Sequence, residues 1–558
     1  MDKEKYRRKA EGKMKTGQTL EEITGLDSVC YNPLTPLSFL KRCEQVFPNK
    51  KAVVYRDKTY TWKEFSERVY RLANRLHRFG MEKGDRVAIL SRNNNANLEA
   101  YYGIAMAGCI CVPLNYRLQA DEIKYILNHS GTRALIVERL YSDTVRKVRD
   151  ELMTVDLISE IKSFDKPDGP TLGIPYEDLL KGASPEPLEI PVDDENEILS
   201  ICYTSGTTGL PKGCVHTHRG SYINSLGEII EARMTPESSY LWILPMFHSQ
   251  GWSFVWAVTA VGARHVCLDA VRADQIYDLM IKENVTHMCG APTACSMITG
   301  YMKENNLKFP HTVRGFIAGA PPSAQNFHDG WELGLDLHQV YGLTEVYGPH
   351  TICEWNDEEW ADVTEEEKIR LRLRQGVAYA TGTIVKVVDE NMQEVPWDGR
   401  TSGEIVMRGN NVMQGYFRDE TKTNEAFAHG WFHSGDSAVV DPDGYIRIVD
   451  RIKDIVVTGG EKVSSVEVEA VIAEHPAVQD VAIIGKPDQK WGEVVKAIIK
   501  PKEGVSLTEE EVIHWCRNRL AGFKTPRVVE IGDIPRTATG KIQKNILKQR
   551  ERKLAGIV

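Results

Sequence analysis

Short apolar runs rich in β-branched residues recur along this chain, separated by longer stretches whose apolar positions fall at helical spacing. Val87-Ala88-Ile89-Leu90, Ala134-Leu135-Ile136-Val137 and Ile198–Tyr203 have the length and composition of buried strands. Trp62–Phe79 places Phe65, Val69, Leu72 and Leu76 on one helical face and stops at Gly80. Alternating strands and helices bury their apolar surfaces best as a mostly parallel sheet covered by helices, so the expected class is α/β. The chain has 558 residues. That is several times a common domain length of about 150 residues, so more than one domain is expected.

The pattern changes from Gly382 to Asp450. Ile384–Val388, Gly403–Met407 and Tyr445–Val449 are short strands divided by turns such as Asp441-Pro442-Asp443-Gly444, which suggests a small β subdomain. After Arg451 the order becomes helix (Val466–Glu474), strands (Val481–Gly485, Val494–Ile499), helix (Thr508–Leu520) and strand (Val528–Ile531). The expected organisation is a large N-terminal domain over residues 1–450, with parallel-rich sheets, helices and the β subdomain. A smaller C-terminal α/β domain follows over 451–558. Glu358–Arg374, acidic and then basic, reads as an exposed helix laced by ion pairs.

Composition closes off several classes. A hydrophobic fraction of 42% and a charged fraction of 26% exclude a disordered, collagenous or coiled-coil chain. Apolar runs such as Ile104–Pro113 stop short of the roughly 18 residues that a membrane span needs. Residues 1–15 mix Lys3, Lys5, Arg7 and Arg8 with Asp2, Glu4 and Glu11, unlike a secretory or transit leader, which points to the cytoplasm. The 11 cysteines include no metal-type CxxC pair and mostly sit in apolar context, as core residues do. A net charge of −9 argues against nucleic acid as a partner, whereas from Arg451 onward 19 Lys and Arg stand against 15 Asp and Glu. A mildly basic end on an acidic body suits a polyanionic small molecule.

The densest chemical signal is Tyr203-Thr204-Ser205-Gly206-Thr207-Thr208-Gly209-Leu210-Pro211-Lys212-Gly213, directly after a strand. Its glycines let backbone N–H groups approach phosphate oxygens, and its hydroxyls and Lys212 add donors. It is not a Walker A loop, because Pro211 stands where that motif needs its second glycine.

This loop resembles the phosphate-binding signature of the adenylate-forming superfamily: acyl-CoA synthetases, peptide-synthetase adenylation domains and firefly-type luciferases. Further segments resemble the family's other motifs, in the same order along nearly the whole chain. They are Pro245-Met246-Phe247-His248, Ala318-Gly319-Ala320-Pro321, Tyr341-Gly342-Leu343-Thr344-Glu345, Ser434-Gly435-Asp436, Asp450-Arg451-Ile452-Lys453-Asp454 and Pro535-Arg536-Thr537-Ala538-Thr539-Gly540-Lys541.

The resemblance implies an AMP-forming acyl-CoA synthetase. A carboxylate attacks the α-phosphate of Mg-ATP to give an acyl adenylate and pyrophosphate, and the thiol of coenzyme A then displaces AMP. Lys541 would offset the repulsion of the two anions in the first step. Glu345 would ligate Mg²⁺, Thr344 would bond the α-phosphate, and His248 would stand near the incoming carboxylate. ATP or AMP would be held by Thr204, Ser205, Gly206, Thr207, Thr208, Gly209, Lys212, Gly319, Ala320, Pro321, Gln339, Tyr341, Gly342, Asp436 and Arg451. Tyr341 would stack on adenine and Asp436 would accept from the ribose hydroxyls.

Lys453 occupies the family's hinge, about which a mobile C-terminal domain would rotate between the two steps. Coenzyme A would meet Gly459, Gly460, Glu461, Trp491, Phe523, Lys524 and Arg527, although Thr525 stands where some relatives have arginine. The acyl pocket would draw on Trp252, Phe254, Val255, Gly290, Ala291 and Ala318, for a short-to-medium, cyclic or aromatic acid. The implied partners are thus a carboxylate, ATP and coenzyme A, with a homodimer as the assembly to test. The alternative is a stand-alone adenylation enzyme that loads a carrier-protein phosphopantetheine; the absence of a carrier segment in the sequence favours free coenzyme A.

Overall fold

The computed structural model describes residues 32–188, 190–204, 210–320, 322–381, 384–536 and 542–557. Four sheets organise them. In the first, strands Ile174–Pro175, Leu157–Ile161, Thr132–Glu138, Arg86–Leu90, Ile110–Pro113 and Ile198–Thr204 lie parallel in that spatial order. Lys212–Thr217 closes this seven-stranded sheet antiparallel to its neighbour. The second sheet has nine strands. Its parallel core is Lys51–Tyr55, Arg264–Cys267, Ser239–Leu241, His287–Gly290, Val313–Ile317 and Leu335–Leu343, and its edges are antiparallel.

The alternation in the sequence becomes these two parallel sheets. The helix expected over Trp62–Phe79 spans Trp62–Arg78 and opens with a capping box, in which the Thr61 hydroxyl and Glu64 each satisfy the other's backbone N–H. Its apolar face packs into a core that includes Trp62, Phe65, Tyr102, Trp242 and Trp256, all fully buried. Ten described cysteines are unpaired and buried, as their apolar context suggests. Among the described residues no helix is long and apolar enough to cross a membrane.

The small β unit is a four-stranded antiparallel sheet: Ile384–Val388, Gly403–Arg408, Phe432–Val440 and Ile446–Arg451. Phe432–Val440 does not read as a strand in the sequence, because Ser434-Gly435-Asp436 breaks its alternation and Gly435 takes φ +73°. The helix expected over Glu358–Arg374 is shorter, Glu365–Arg372. Thr364 caps it, while Asn356 starts a separate turn by accepting from the Glu359 N–H. The pairs Lys368–Glu365 and Arg370–Glu367 are exposed as expected, but Arg374 is buried against Asp443 and the Tyr445 ring.

The last sheet has five strands: Val456–Thr458, Glu461–Val463, Gly492–Pro501, Val478–Asp488 and Val528–Ile531. Helices Ser465–Ala473, Glu509–Arg517 and Lys544–Leu554 accompany it. The short hairpin turns on Gly459 and Gly460, at φ +60° and +88°, a geometry that glycine supplies without strain. Asp450 accepts from the Ser465 N–H and the Ser464 hydroxyl donates to the Val449 carbonyl, so this unit also bonds to the strand before it.

Candidate active site

Open parallel sheets bind ligands beyond the carboxyl ends of their strands. Three sheets present such ends, or a loop-bearing strand, to one place here. Strand Ile198–Thr204 runs into the glycine-rich loop, and the chain returns on Lys212–Thr217 with Thr204 and Lys212 in register. Ser205, Gly206, Thr207, Thr208 and Gly209 lie outside the described residues, as do Pro321 and Lys541.

Period-two alternation puts Lys212, Cys214 and His216 on one face of the returning strand. The Lys212 ammonium lies 4.0 Å from the centre of the Tyr416 ring, and the Tyr416 hydroxyl donates to Glu345 Oε1 at 2.9 Å. Glu345 follows strand Leu335–Leu343 in the turn Thr344–Val346. His216 stacks on Tyr347 and its Nε2–H donates to the Thr344 carbonyl at 2.7 Å; burial holds its pKa down to about 4, so the ring is neutral. Glu345 Oε2 makes no hydrogen bond among the described residues. One partly exposed carboxylate with a spare oxygen, linked through Tyr416 to Lys212, fits Mg²⁺, which commonly takes one or two protein carboxylates together with phosphate and water.

On the strand that leads into Glu345, the Tyr341 hydroxyl donates to Asp436 Oδ2 at 2.7 Å, and Arg451 Nε lies 3.3 Å from Asp436 Oδ1. The Asp436 and Arg451 backbones are register partners, which explains how motifs fifteen residues apart meet. Gly342 admits no side chain: a Cβ there would come 1.7 Å from the Gly348 carbonyl oxygen. Gln339 is buried on the same strand, with Oε1 unpartnered among the described residues. Ala318-Gly319-Ala320 leaves the end of strand Val313–Ile317, and Gly319, at φ +87°, is exposed with open space around it.

Near the segment expected to line the acyl pocket, desolvation and the Arg117 cation push His248 down to about 4. Trp252 is half-buried beside it, in a turn in which Ser249, Gln250, Gly251, Trp252 and Ser253 all have φ between +44° and +63°. Phe254 and Val255 begin the next helix and are fully buried, Phe254 stacking on Tyr240. Gly290 ends strand His287–Gly290, with Ala291 after it and Ala318 on the neighbouring strand's exit.

The sequence gives no sign of a polar cluster behind these residues. Glu228 is buried without a cation; its carboxyl accepts from the Tyr379 hydroxyl at 3.1 Å and Asn224 at 3.5 Å, and desolvation raises its pKa well above the usual range. Asn224 also donates to Ser253 Oγ at 3.0 Å.

In the C-terminal unit, Lys453 lies in the helical turn Ile452–Asp454, where its carbonyl and Asp454 receive Lys548. Gly459 N–H donates to the Trp491 carbonyl at 2.8 Å, with Gly460 and exposed Glu461 completing the hairpin. Arg527 lies 4.4 Å from the Trp491 ring centre. Phe523 is 40% exposed, but Lys524 is held by both oxygens of Glu467 and is less available than its sequence suggests.

Residues 40–417 match the family model described as AMP-binding enzyme, and residues 467–541 match AMP-binding enzyme C-terminal domain. A 4-hydroxybutyrate–CoA ligase of Metallosphaera sedula is 48% identical over 93% of this chain and 94% of its own length. An acetate–CoA ligase of Humulus lupulus is 38% identical over 94% of this chain and 96% of its own. Among solved structures, the o-succinylbenzoate CoA synthetase of Bacillus subtilis with its acyl-adenylate intermediate superimposes with a TM-score of 0.79. It is 25% identical and covers 91% of this chain and 97% of that one. The ordered motifs, the parallel sheets meeting at one edge and these matches agree: the chain belongs to the AMP-binding enzyme family of the adenylate-forming superfamily.

Proposed function

We propose that the protein is an AMP-forming carboxylate–CoA ligase. The observation that carries this reading is the convergence of the phosphate-loop strands, Glu345 and the Tyr341–Asp436–Arg451 group at one edge of three sheets. Asp436 would receive the ribose diol, Tyr341 would pack against adenine, and Lys212 and Thr344 would face the phosphates. Mg²⁺ held by Glu345 would neutralise phosphate charge. Lys541 would stabilise charge as the carboxylate attacks. The unit from 451 to 558 would then turn about Lys453 and bring Gly459, Gly460, Trp491 and Arg527 toward the pantetheine and nucleotide of coenzyme A.

The acid in this reading is short to medium and carries a polar end. The buried Asn224–Glu228–Tyr379 cluster supports this, because Asn224 bonds Ser253 next to Trp252. So does the likeness to a protein named for 4-hydroxybutyrate. Coenzyme A as acceptor, rather than a carrier protein, is supported by the names of the relatives. Unpaired buried cysteines suit a reducing compartment such as the cytoplasm.

The test is acid-dependent ATP–pyrophosphate exchange across a carboxylate panel that pairs 4-hydroxybutyrate with butyrate and includes benzoate. AMP release is then measured with coenzyme A and with a holo-carrier protein. Exchange without coenzyme A, and AMP release with it, are expected; no exchange with any acid would refute the reading, and benzoate outrunning 4-hydroxybutyrate would refute the polar end.

A further inference from the structure

The turn Ser249–Ser253 is left-handed through five successive residues, four of them not glycine. L-residues disfavour this conformation because Cβ crowds the following carbonyl, so such a run persists only where its surroundings dictate it. Its own bonds, Trp252 N–H to the His248 carbonyl at 2.9 Å and Ser253 N–H to the Ser249 carbonyl at 3.1 Å, close it but do not choose its hand. Gly251 fits under Trp242, where a Cβ would approach to 2.3 Å, and Gly348 fits under Trp252.

One side chain of the turn reaches the other large sheet. Gln250, fully buried, has Nε2 2.6 Å from Ser200 Oγ and 3.0 Å from Cys202 Sγ, on the strand that runs into the phosphate loop. Among the described residues its Oε1 has no donor, and neither does the Nδ1 of His216, with which its amide interacts. His216 donates through Nε2 to Thr344, so its Nδ1 carries a lone pair. Ser200 Oγ and Cys202 Sγ are therefore the contacts that hold the Gln250 amide in place. Buried polar contacts thus tie the turn to the Ser200 strand, and His216 on the adjacent strand to the Thr344 carbonyl.

We propose that Gln250 is a positioning residue for the ligase reaction. Its amide fixes the hand of the 249–253 turn against the Ser200 strand and His216, and so sets His248 and Trp252 at the acid site. The inference rests on the ligase reading, so the wild type must first show acid-dependent pyrophosphate exchange, and failure there removes both. Exchange in the wild type with an unchanged acid KM in the variants removes this inference alone. The variant is Gln250→Met, which keeps length and volume and removes the hydrogen bonds. The acid KM should rise about tenfold while the ATP KM stays within twofold, the scale of losing one or two buried bonds. Ser200→Ala, a smaller change that keeps the turn's own residues, should raise the acid KM less and add little on top of Gln250→Met. If Gln250→Met does not fold, Ser200→Ala alone carries the test. Unchanged acid KM in the folded variants, or acid and ATP KM rising by the same factor, would overturn the proposal.

Discussion

Asp436→Asn isolates what the carboxylate contributes to nucleotide binding. An ionised carboxylate offers about four acceptor positions. Tyr341 and Arg451 occupy one on each oxygen, so about two remain for a vicinal diol. Asparagine keeps the shape but turns one oxygen into a donor and removes the charge. Hydrogen bonds to a charged group contribute about 1.5–3 kcal/mol, so AMP should bind about 10- to 150-fold more weakly. Asp436→Ala should also reduce stability: the Tyr341 hydroxyl, in a residue only 8% exposed, loses its acceptor, which costs about 1–3 kcal/mol. Titration calorimetry with AMP, read beside the melting temperature, separates the two effects. An AMP affinity within twofold of wild type in a normally folded Asp436→Asn would refute the ribose-binding role.

Three further outcomes follow from the same reading. Lys541→Ala should lose adenylate formation by about two to three orders of magnitude yet still transfer a supplied acyl adenylate to coenzyme A; equal loss in both half-reactions would contradict a two-pose cycle. Lys453→Pro should slow coenzyme A transfer while sparing adenylate formation, if the family's adenylating pose is the one in which this turn accepts a fixed φ of about −65°. Transfer at the wild-type rate would move the pivot elsewhere. Finally, burial lowers the pKa of His216, His218 and, with Arg117, His248 to about 4, and of His265 and His350 to about 3. Below the unfolded value near 6.5 the unfolded chain binds more protons, so stability is complete above that pH and falls on acidification, by up to about 1.4 kcal/mol per pH unit for each histidine. Urea midpoints that stay flat from pH 6.5 to 5 would exclude this.

The parallel sheets were legible because their strands are continuous apolar runs, and periodicity reports burial on both faces. Phe432–Val440 was not, since the residues that equip Asp436 for a ligand, a serine and a glycine at positive φ, are those that erase a strand's alternation. The motif residues could be named from their order, but their partners could not. Tyr416 meets Glu345 from 71 positions away, and nothing local to Gly415-Tyr416-Phe417 announces it. His216 was within reach: on a strand beginning at Lys212, alternation alone places it on the same face. Gln250 and Glu228 are different, because a buried polar side chain shows its purpose only through neighbours that the fold supplies.

The buried cysteines bear on chemical selectivity. An acyl adenylate is an electrophile that acylates whatever thiolate comes within reach, including one belonging to the protein that made it. Cys202 and Cys214 stand opposite each other on the two strands that flank the glycine-rich segment. Burial raises Cys202 to about 12 and Cys214 well above its ordinary value, and neither has surface to offer. A thiol is a poor nucleophile until it ionises. In the proposed ligase cycle, two neutral and enclosed thiols would offer an acyl adenylate no nucleophile, leaving the sulfur delivered from solution to react.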